Sequence, residues 1–242
     1  MRERPVLETF LMADANQAFL DMFADPERVA AYAEGPPRYM PGYKAVQRMA
    51  GVLLAEQAPA DAHVLVLGAG GGLELKALAQ LQPAWRFTGV DPAGPMLDLA
   101  RAALGADATR TVLVEGTIDA APAGPFDAAT CLLTLHFLPR EERVRTLAEI
   151  RRRLRPGAPL VVAHASFPQD EPARGKWLAR YAAYALASGA NPAEVEQAHT
   201  AVGNSLTLLT PEDDEACLFE AGFGETEAFY AAFTWRGWIA RC

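Results

Sequence analysis

The sequence predicts an α/β fold: a doubly wound, mostly parallel seven-stranded sheet with helices on both faces and an antiparallel edge strand. Three observations predict it. Short apolar runs alternate with amphipathic helical patterns from His63 to Ala165, the rhythm of strands crossed over by helices. The first run, Val64–Leu67, has no polar residue, as in a strand buried on both faces, and four glycines follow it within five positions (Gly68, Gly70, Gly71, Gly72). Near the end of the chain, 225–229 and 232–240 read as two final strands forming an antiparallel pair at the sheet edge.

At 242 residues and 51% apolar, the chain supports one sizeable core. It divides into an N-terminal helical lid or cap segment, 1–58, and a catalytic-type domain, 59–242, with a helical insertion at about 168–205. In the lid, Phe10, Leu11, Phe19, Leu20 and Phe23 recur near helical spacing until Asp25-Pro26. Residues 35–43 form a loop punctuated by Pro and Gly, with Arg38, Tyr39 and Tyr43 as polar tips, and 45–57 a helix with Val46, Met49, Leu53 and Leu54 on one face.

After the glycines, Leu75, Leu78 and Ala79 mark a helix ended by Gln82-Pro83. The second strand, 86–90, delivers Asp91, and Pro92 is placed to open the next helix, lined by Met96, Leu97, Ala100 and Leu104. The third strand is 111–114. The fourth is 126–134, with an exit loop through His136 to Pro139. Helix 141–154 turns Val144, Leu147, Ile150 and Leu154 inward and carries Arg151, Arg152 and Arg153 as a solvated face in its last turn. Strand five is 160–165. The insertion holds two helices, one with Trp177, Leu178, Tyr181, Tyr184 and Ala185 at helical spacing, one at about 193–203. Thr210 caps a helix running to Glu220.

Glycines at a strand–helix junction let a ligand lie against bare backbone, and the helix would point its unpaired N–H groups and positive dipole end at that ligand. Asp91, about twenty residues on, suits ribose hydroxyls. A dinucleotide fingerprint would place its third glycine where Leu73 stands, so a ligand with ribose but no pyrophosphate fits better. S-adenosyl-L-methionine (SAM) is the obvious candidate. Its expected contacts are Gly68, Ala69, Gly70, Asp91 and Pro92.

Segments 64–74, 87–101, 114–119, 126–138 and 154–165 together resemble the successive motifs of a class I SAM-dependent methyltransferase with its Rossmann-like sheet. Met40-Pro41-Gly42-Tyr43, Thr134-Leu135-His136-Phe137-Leu138 and Leu154-Arg155-Pro156-Gly157 resemble its carboxy-SAM synthase branch. The resemblance implies that Tyr43 contacts the sulfonium ligand, and that Thr117, where many relatives carry an acid, meets the adenine beside Ile118, which either packs on the purine or joins the core. It also implies that the insertion helps to build an acceptor pocket, with Tyr39, His136, Trp177 and Tyr181 as its candidate lining. His136 is either a general base or a hydrogen-bonding group, since the branch carries Gln there. The branch's carboxylate-reading Arg falls on Ala201 and its Asn on Leu132, departures that point to ordinary SAM and methyl transfer to a small molecule. A carboxy-SAM synthase-like enzyme and a non-catalytic SAM-binding module remain the alternatives. A nicotinamide-dependent reductase is disfavoured by Leu73.

The net charge of −8 disfavours nucleic acid as a partner. No apolar run suits a secretion signal or a bilayer span. Three cysteines, Cys131, Cys217 and Cys242, are odd in number and lack metal-ligand spacing. The expectation is a cytoplasmic enzyme without a metal, acting on a small molecule and compatible with a homodimer.

Overall fold

In the computed structural model, which describes residues 32–242, a seven-stranded sheet runs in the order β3-β2-β1-β4-β5-β7-β6. Its strands are β1 (His63–Leu67), β2 (Arg86–Asp91), β3 (Thr111–Glu115), β4 (Ala128–Leu132), β5 (Pro159–Ala165), β6 (Glu225–Ala232) and β7 (Trp235–Arg241). The first five are parallel, while β7 lies antiparallel between β5 and the edge strand β6. The expected N-terminal helix around Phe10–Phe23 lies outside the described residues.

Each inner strand serves two cores because its side chains alternate between faces. Val64 and Val66 of β1, with Val161 and Ala163 of β5, join one layer. That layer is closed by Val46, Ala50 and Leu54 of α2 (Tyr43–Ala55) and by Leu75 and Leu78 of α3 (Leu73–Leu81), with α1 (Gly35–Tyr39) preceding them. Leu65, Leu67, Leu160 and Val162 face the other way, onto Leu147 and Ile150 of α5 (Arg140–Arg153) and Cys217 and Leu218 of α8 (Pro211–Glu220). Complete burial of such side chains is worth about 1.5–3 kcal/mol each, which holds the helices to both faces. Between β2 and β3 lies α4 (Gly94–Leu104), and the insertion forms α6 (Ala173–Ala187) and α7 (Pro192–Ser205).

Four details correct the sequence reading. Residues 35–43 are not one loop, because Gly35–Tyr39 forms α1 and Tyr43 already opens α2. Pro92 does not open α4, which begins at Gly94 with Pro95 in its first turn. The fourth strand stops at Leu132 because Leu133 turns into the left-handed region, φ 57°, and breaks the ladder. Arg153 is not on a solvated face: it is 4% exposed, donating to the Glu149 carbonyl at 3.0 Å and ion-paired with the Glu149 side chain.

Candidate active site

The strand order reverses between β1 and β4, and ligands of open parallel sheets settle beyond the strand ends at such a point. Here the chain leaves β1 through the glycines. A Cβ on Gly68, φ 78°, would sit 1.9 Å from Thr134 Oγ1, and one on Gly72, φ 77°, would sit 2.7 Å from the Cα of Ala100. The tight glycine that seats the loop on α4 is therefore Gly72. The sequence reading looked for it one position later, at Leu73, by following the dinucleotide spacing.

The first donors of this loop face the protein. Gly68 N–H and Ala69 N–H donate to the Val90 carbonyl at 2.9 and 3.0 Å, and Gly70 N–H donates to Asp91 Oδ2 at 2.8 Å. These three donors are spent on the end of β2 and Gly72 N–H on the Ala69 carbonyl at 2.9 Å, so this part of the loop offers a ligand backbone without side chains. Asp91 Oδ1 accepts from Ala93 N–H at 2.9 Å as well. Burial pushes the Asp91 carboxyl up, and its hydrogen bonds from Ala93 and Gly70 hold it back in part. Asp91 thus fastens the glycine loop to the β2–α4 turn from beside the expected ribose position. Of the remaining cofactor candidates, Pro92 and Thr117 are exposed, Thr117 reaching Asp119 at 3.4 Å, and Ile118 is 1% exposed within the second core layer.

Between the ends of β1 and β4 opens a small recess, lined by Tyr43, Gln47, Gly68, Ala69, Leu73, Glu74, Leu132 and Leu133. Tyr43, Gly68 and Ala69 meet there as expected. Leu133 holds its costly backbone conformation with its N–H on the Ala163 carbonyl at 2.6 Å. The sequence reading missed Gln47 and Glu74. Both are buried, at 5% and 6% exposure, and Gln47 Nε2 and Glu74 Oε1 have no hydrogen-bond partner. Burial drives the Glu74 carboxyl up to about 8, and the nearby Thr130 hydroxyl offsets this only in part. Their signal was legible: Gln47 shares a helix face with Ala50 and Leu54, and Glu74 one with Leu78, a polar group amid apolar neighbours each time. A ligand with a polar end fits such a recess, since each orphaned atom costs free energy until it is paired.

Three of the four candidate acceptor residues, Tyr39, Tyr181 and His136, gather around Trp235. Tyr39 stacks on Tyr181 with ring centroids 5.5 Å apart, Tyr181 lies 6.5 Å from Trp235, and His136 meets Trp235 edge-on at 5.8 Å. Trp235 Nε1 donates to the Tyr39 carbonyl at 3.0 Å, which pins α1 to β7. Trp235 was read only as part of a strand, and nothing local in the sequence marks it. Trp177 keeps other company, with the Arg180 and Arg236 guanidinium groups 4.5 and 5.6 Å from its ring centre.

His136 is 4% exposed, and its Nδ1 accepts from Ala165 N–H at 3.3 Å. Burial, then the neighbouring His164 and Arg143, push its pKa well below the usual histidine value. The ring is neutral with its proton on Nε2, and the lone pair a general base would need is engaged by the backbone. Its own carbonyl accepts from Thr207 N–H at 3.1 Å, tying the exit of the insertion to the loop after β4.

Beneath this group lies a buried ion pair. Arg143 of α5 is fully buried, pairs with Asp214 of α8, and donates to the Thr207 carbonyl at 2.7 Å and the Leu138 carbonyl at 3.3 Å. His164 Nε2 stands 3.1 Å from Asp214 Oδ1. Burial pushes Asp214 up, but His164 and Arg143 outweigh it and hold the carboxyl below its usual value. Among the described residues, no group of three or more His, Cys, Asp or Glu side chains is placed to hold a metal ion, and no helix is long and apolar enough to cross a membrane.

A family described as a methyltransferase domain matches residues 64–157. The carboxy-S-adenosyl-L-methionine synthase of Chromohalobacter salexigens is 30% identical over 220 residues, covering 89% of this chain and 82% of that protein. The synthase of the same name from Citrifermentans bemidjiense is 26% identical, with 93% and 94% covered. Among solved structures, PigF with SAH superimposes with a TM-score of 0.67 at 17% identity, over 92% of this chain and 61% of that one. An O-methyltransferase family protein from Burkholderia thailandensis gives 0.66 at 16% identity, over 90% and 61%. The chain thus spans about three fifths of those two structures.

Proposed function

The chain belongs to the class I SAM-dependent methyltransferases, near their carboxy-S-adenosyl-L-methionine synthase branch, with SAM as cofactor, and from that premise we propose that it transfers the methyl group to a small molecule seated against Tyr39, Tyr181 and His136. One observation carries this reading: Tyr43, Leu132 and Leu133 line the recess beside the glycine loop, and a few residues away along the same two segments Tyr39 and His136 join one aromatic group with Tyr181 and Trp235.

SAM brings a methyl group already activated by its sulfonium, so alignment is what the protein must supply. The bare loop from Gly68 to Gly72 and Asp91 set the cofactor's depth. Tyr43 stands over the recess, where it would face the sulfonium. Tyr39, Tyr181 and Trp235 give the acceptor an aromatic wall that excludes water. His136, neutral and held by Ala165, positions this wall and the loop after β4. On the side of α2 the recess is bounded by Tyr43 and Gln47.

The identity to carboxy-S-adenosyl-L-methionine synthases favours a second reading, in which the cofactor itself is modified. Against it stand Leu132, which presents no amide to the recess, and Ala201, an exposed residue of α7 with no cation to offer a carboxylate. Mass spectrometry after incubation with methyl-labelled SAM and a panel of phenols, amines and carboxylic acids separates the readings. A labelled acceptor together with S-adenosylhomocysteine (SAH) is the expected result. A cofactor heavier by one CO₂ unit would establish the synthase reading, and tight SAM binding without any turnover would leave a binding module.

A further inference from the structure

Two orphaned polar atoms face one recess, and they are of opposite character: a carboxylate oxygen of Glu74 and an amide donor of Gln47. Glu74 does not cap α3, whose N-terminus has no side-chain cap. The lining residues include no cation to pair with it, and β1, apolar from Val64 to Leu67, brings no other acid to the site. An isolated buried carboxylate is expensive to keep, and so is an unmatched amide. A ligand end that carries an ammonium and a carboxylate on one carbon would satisfy both.

We propose that Glu74 and Gln47 form the clamp for the amino-acid end of the cofactor, Glu74 accepting from its ammonium and Gln47 donating to its carboxylate. This rests on the SAM reading of the recess and deepens it. The clamp is built from two helices, with Gln47 one turn beyond Tyr43 on α2 and Glu74 in the first turn of α3. Both helices pack on the same core layer, so the two groups are held by packed helices rather than by a loop.

The clamp carries a proton. In the free protein Glu74 is protonated below a pH of about 8. Around it, the Cys131 thiol of β4 is pushed up by burial and stays neutral, and Tyr43 of α2 supplies only a phenol. An arriving ammonium favours the ionised carboxylate, so binding releases a proton, and affinity tightens as pH rises from 6 towards 8.

Calorimetry with SAH and with 5′-methylthioadenosine, which has the same nucleoside but no amino-acid end, tests this on the full chain. Glu74→Gln should weaken SAH about 10- to 100-fold, the scale of a charge-assisted hydrogen bond, and leave methylthioadenosine unchanged. Gln47→Leu should weaken SAH by a smaller factor with the same ligand selectivity. Wild-type SAH binding measured in two buffers of different ionisation enthalpy should show proton release, which Glu74→Gln abolishes. Unchanged SAH affinity in Glu74→Gln, or equal losses for both ligands, would overturn the clamp while leaving the SAM site standing. If the wild type binds neither ligand, the SAM reading of the recess falls, and the clamp with it.

Discussion

The two halves of the sheet hold their functional residues by different means. On the β3-β2-β1 side, position is set by main chain. The β1–β2 register is unbroken from His63↔Arg86 to Leu67↔Val90, and the donors of Gly68, Ala69 and Gly70 end on Val90 and Asp91. On the β5-β7-β6 side, position is set by side chains that reach far along the chain. Arg143 joins Asp214 and Thr207, Trp235 joins Tyr39, and the Tyr230 hydroxyl donates to the Pro41 carbonyl. A site framed by backbone tolerates changes of neighbouring side chains but not an added Cβ. One framed by long-range side-chain bonds can be reshaped by single substitutions.

The comparison breaks most readily at Arg143. Arg143→Met should leave Asp214 buried without its guanidinium and destabilise the protein by about 3–5 kcal/mol, read as a lower urea midpoint. The double variant Arg143→Met/Asp214→Leu should recover most of that, because the charge left behind is removed as well. The same pair predicts acid sensitivity. Asp214 is depressed in the folded state, so its contribution is present above the ordinary carboxylate range and is lost as pH falls through its folded value. Asp214→Asn should therefore flatten stability against pH in that acid range. A Met variant as stable as the wild type would mean that the acceptor side is held by apolar packing alone.

Asp91 tests the other half at a smaller scale. If it only met ribose, Asp91→Ala would leave the ligand-free protein as stable as before. Its two backbone hydrogen bonds predict otherwise: a loss of about 1.5–3 kcal/mol in ligand-free stability together with weaker SAH binding. An affinity loss without a stability loss would return Asp91 to a purely ligand-facing role.

This contrast also decides what the sequence could disclose. The glycines, the apolar run of β1 and the acid after β2 are local patterns, and the strand order and the recess agree with them. Thr210 was legible as a cap for the same reason, its Oγ1 accepting from Asp213 N–H at 3.1 Å. Arg143 was not, because in an amphipathic helix rich in charge nothing local distinguishes the one arginine whose partner lies 71 residues away. The run Arg151–Arg153 misled for a related reason: composition describes all three, while helix phase turns Arg153 alone into the interior. Glu74 and Gln47 stood in view as polar residues on apolar faces, yet their meaning depended on both lining one recess, which only the packing of α2 against α3 reveals.

The smallest effect is expected at His136, where the two halves meet. A general base would give the rate a rising limb near the histidine range, and its loss would cost about 10²–10⁴-fold. The neutral ring held by Ala165 N–H predicts no such limb. His136→Gln keeps an acceptor atom for that backbone donor, so SAH affinity should be unchanged and kcat should fall by less than about tenfold, with the pH profile unaltered. His136→Ala removes the acceptor and opens space against Trp235, and should raise the acceptor KM more than it lowers kcat. A His136→Gln variant that loses a rate limb present in the wild type would restore the base, and would mean that substrate binding frees Nδ1 from Ala165.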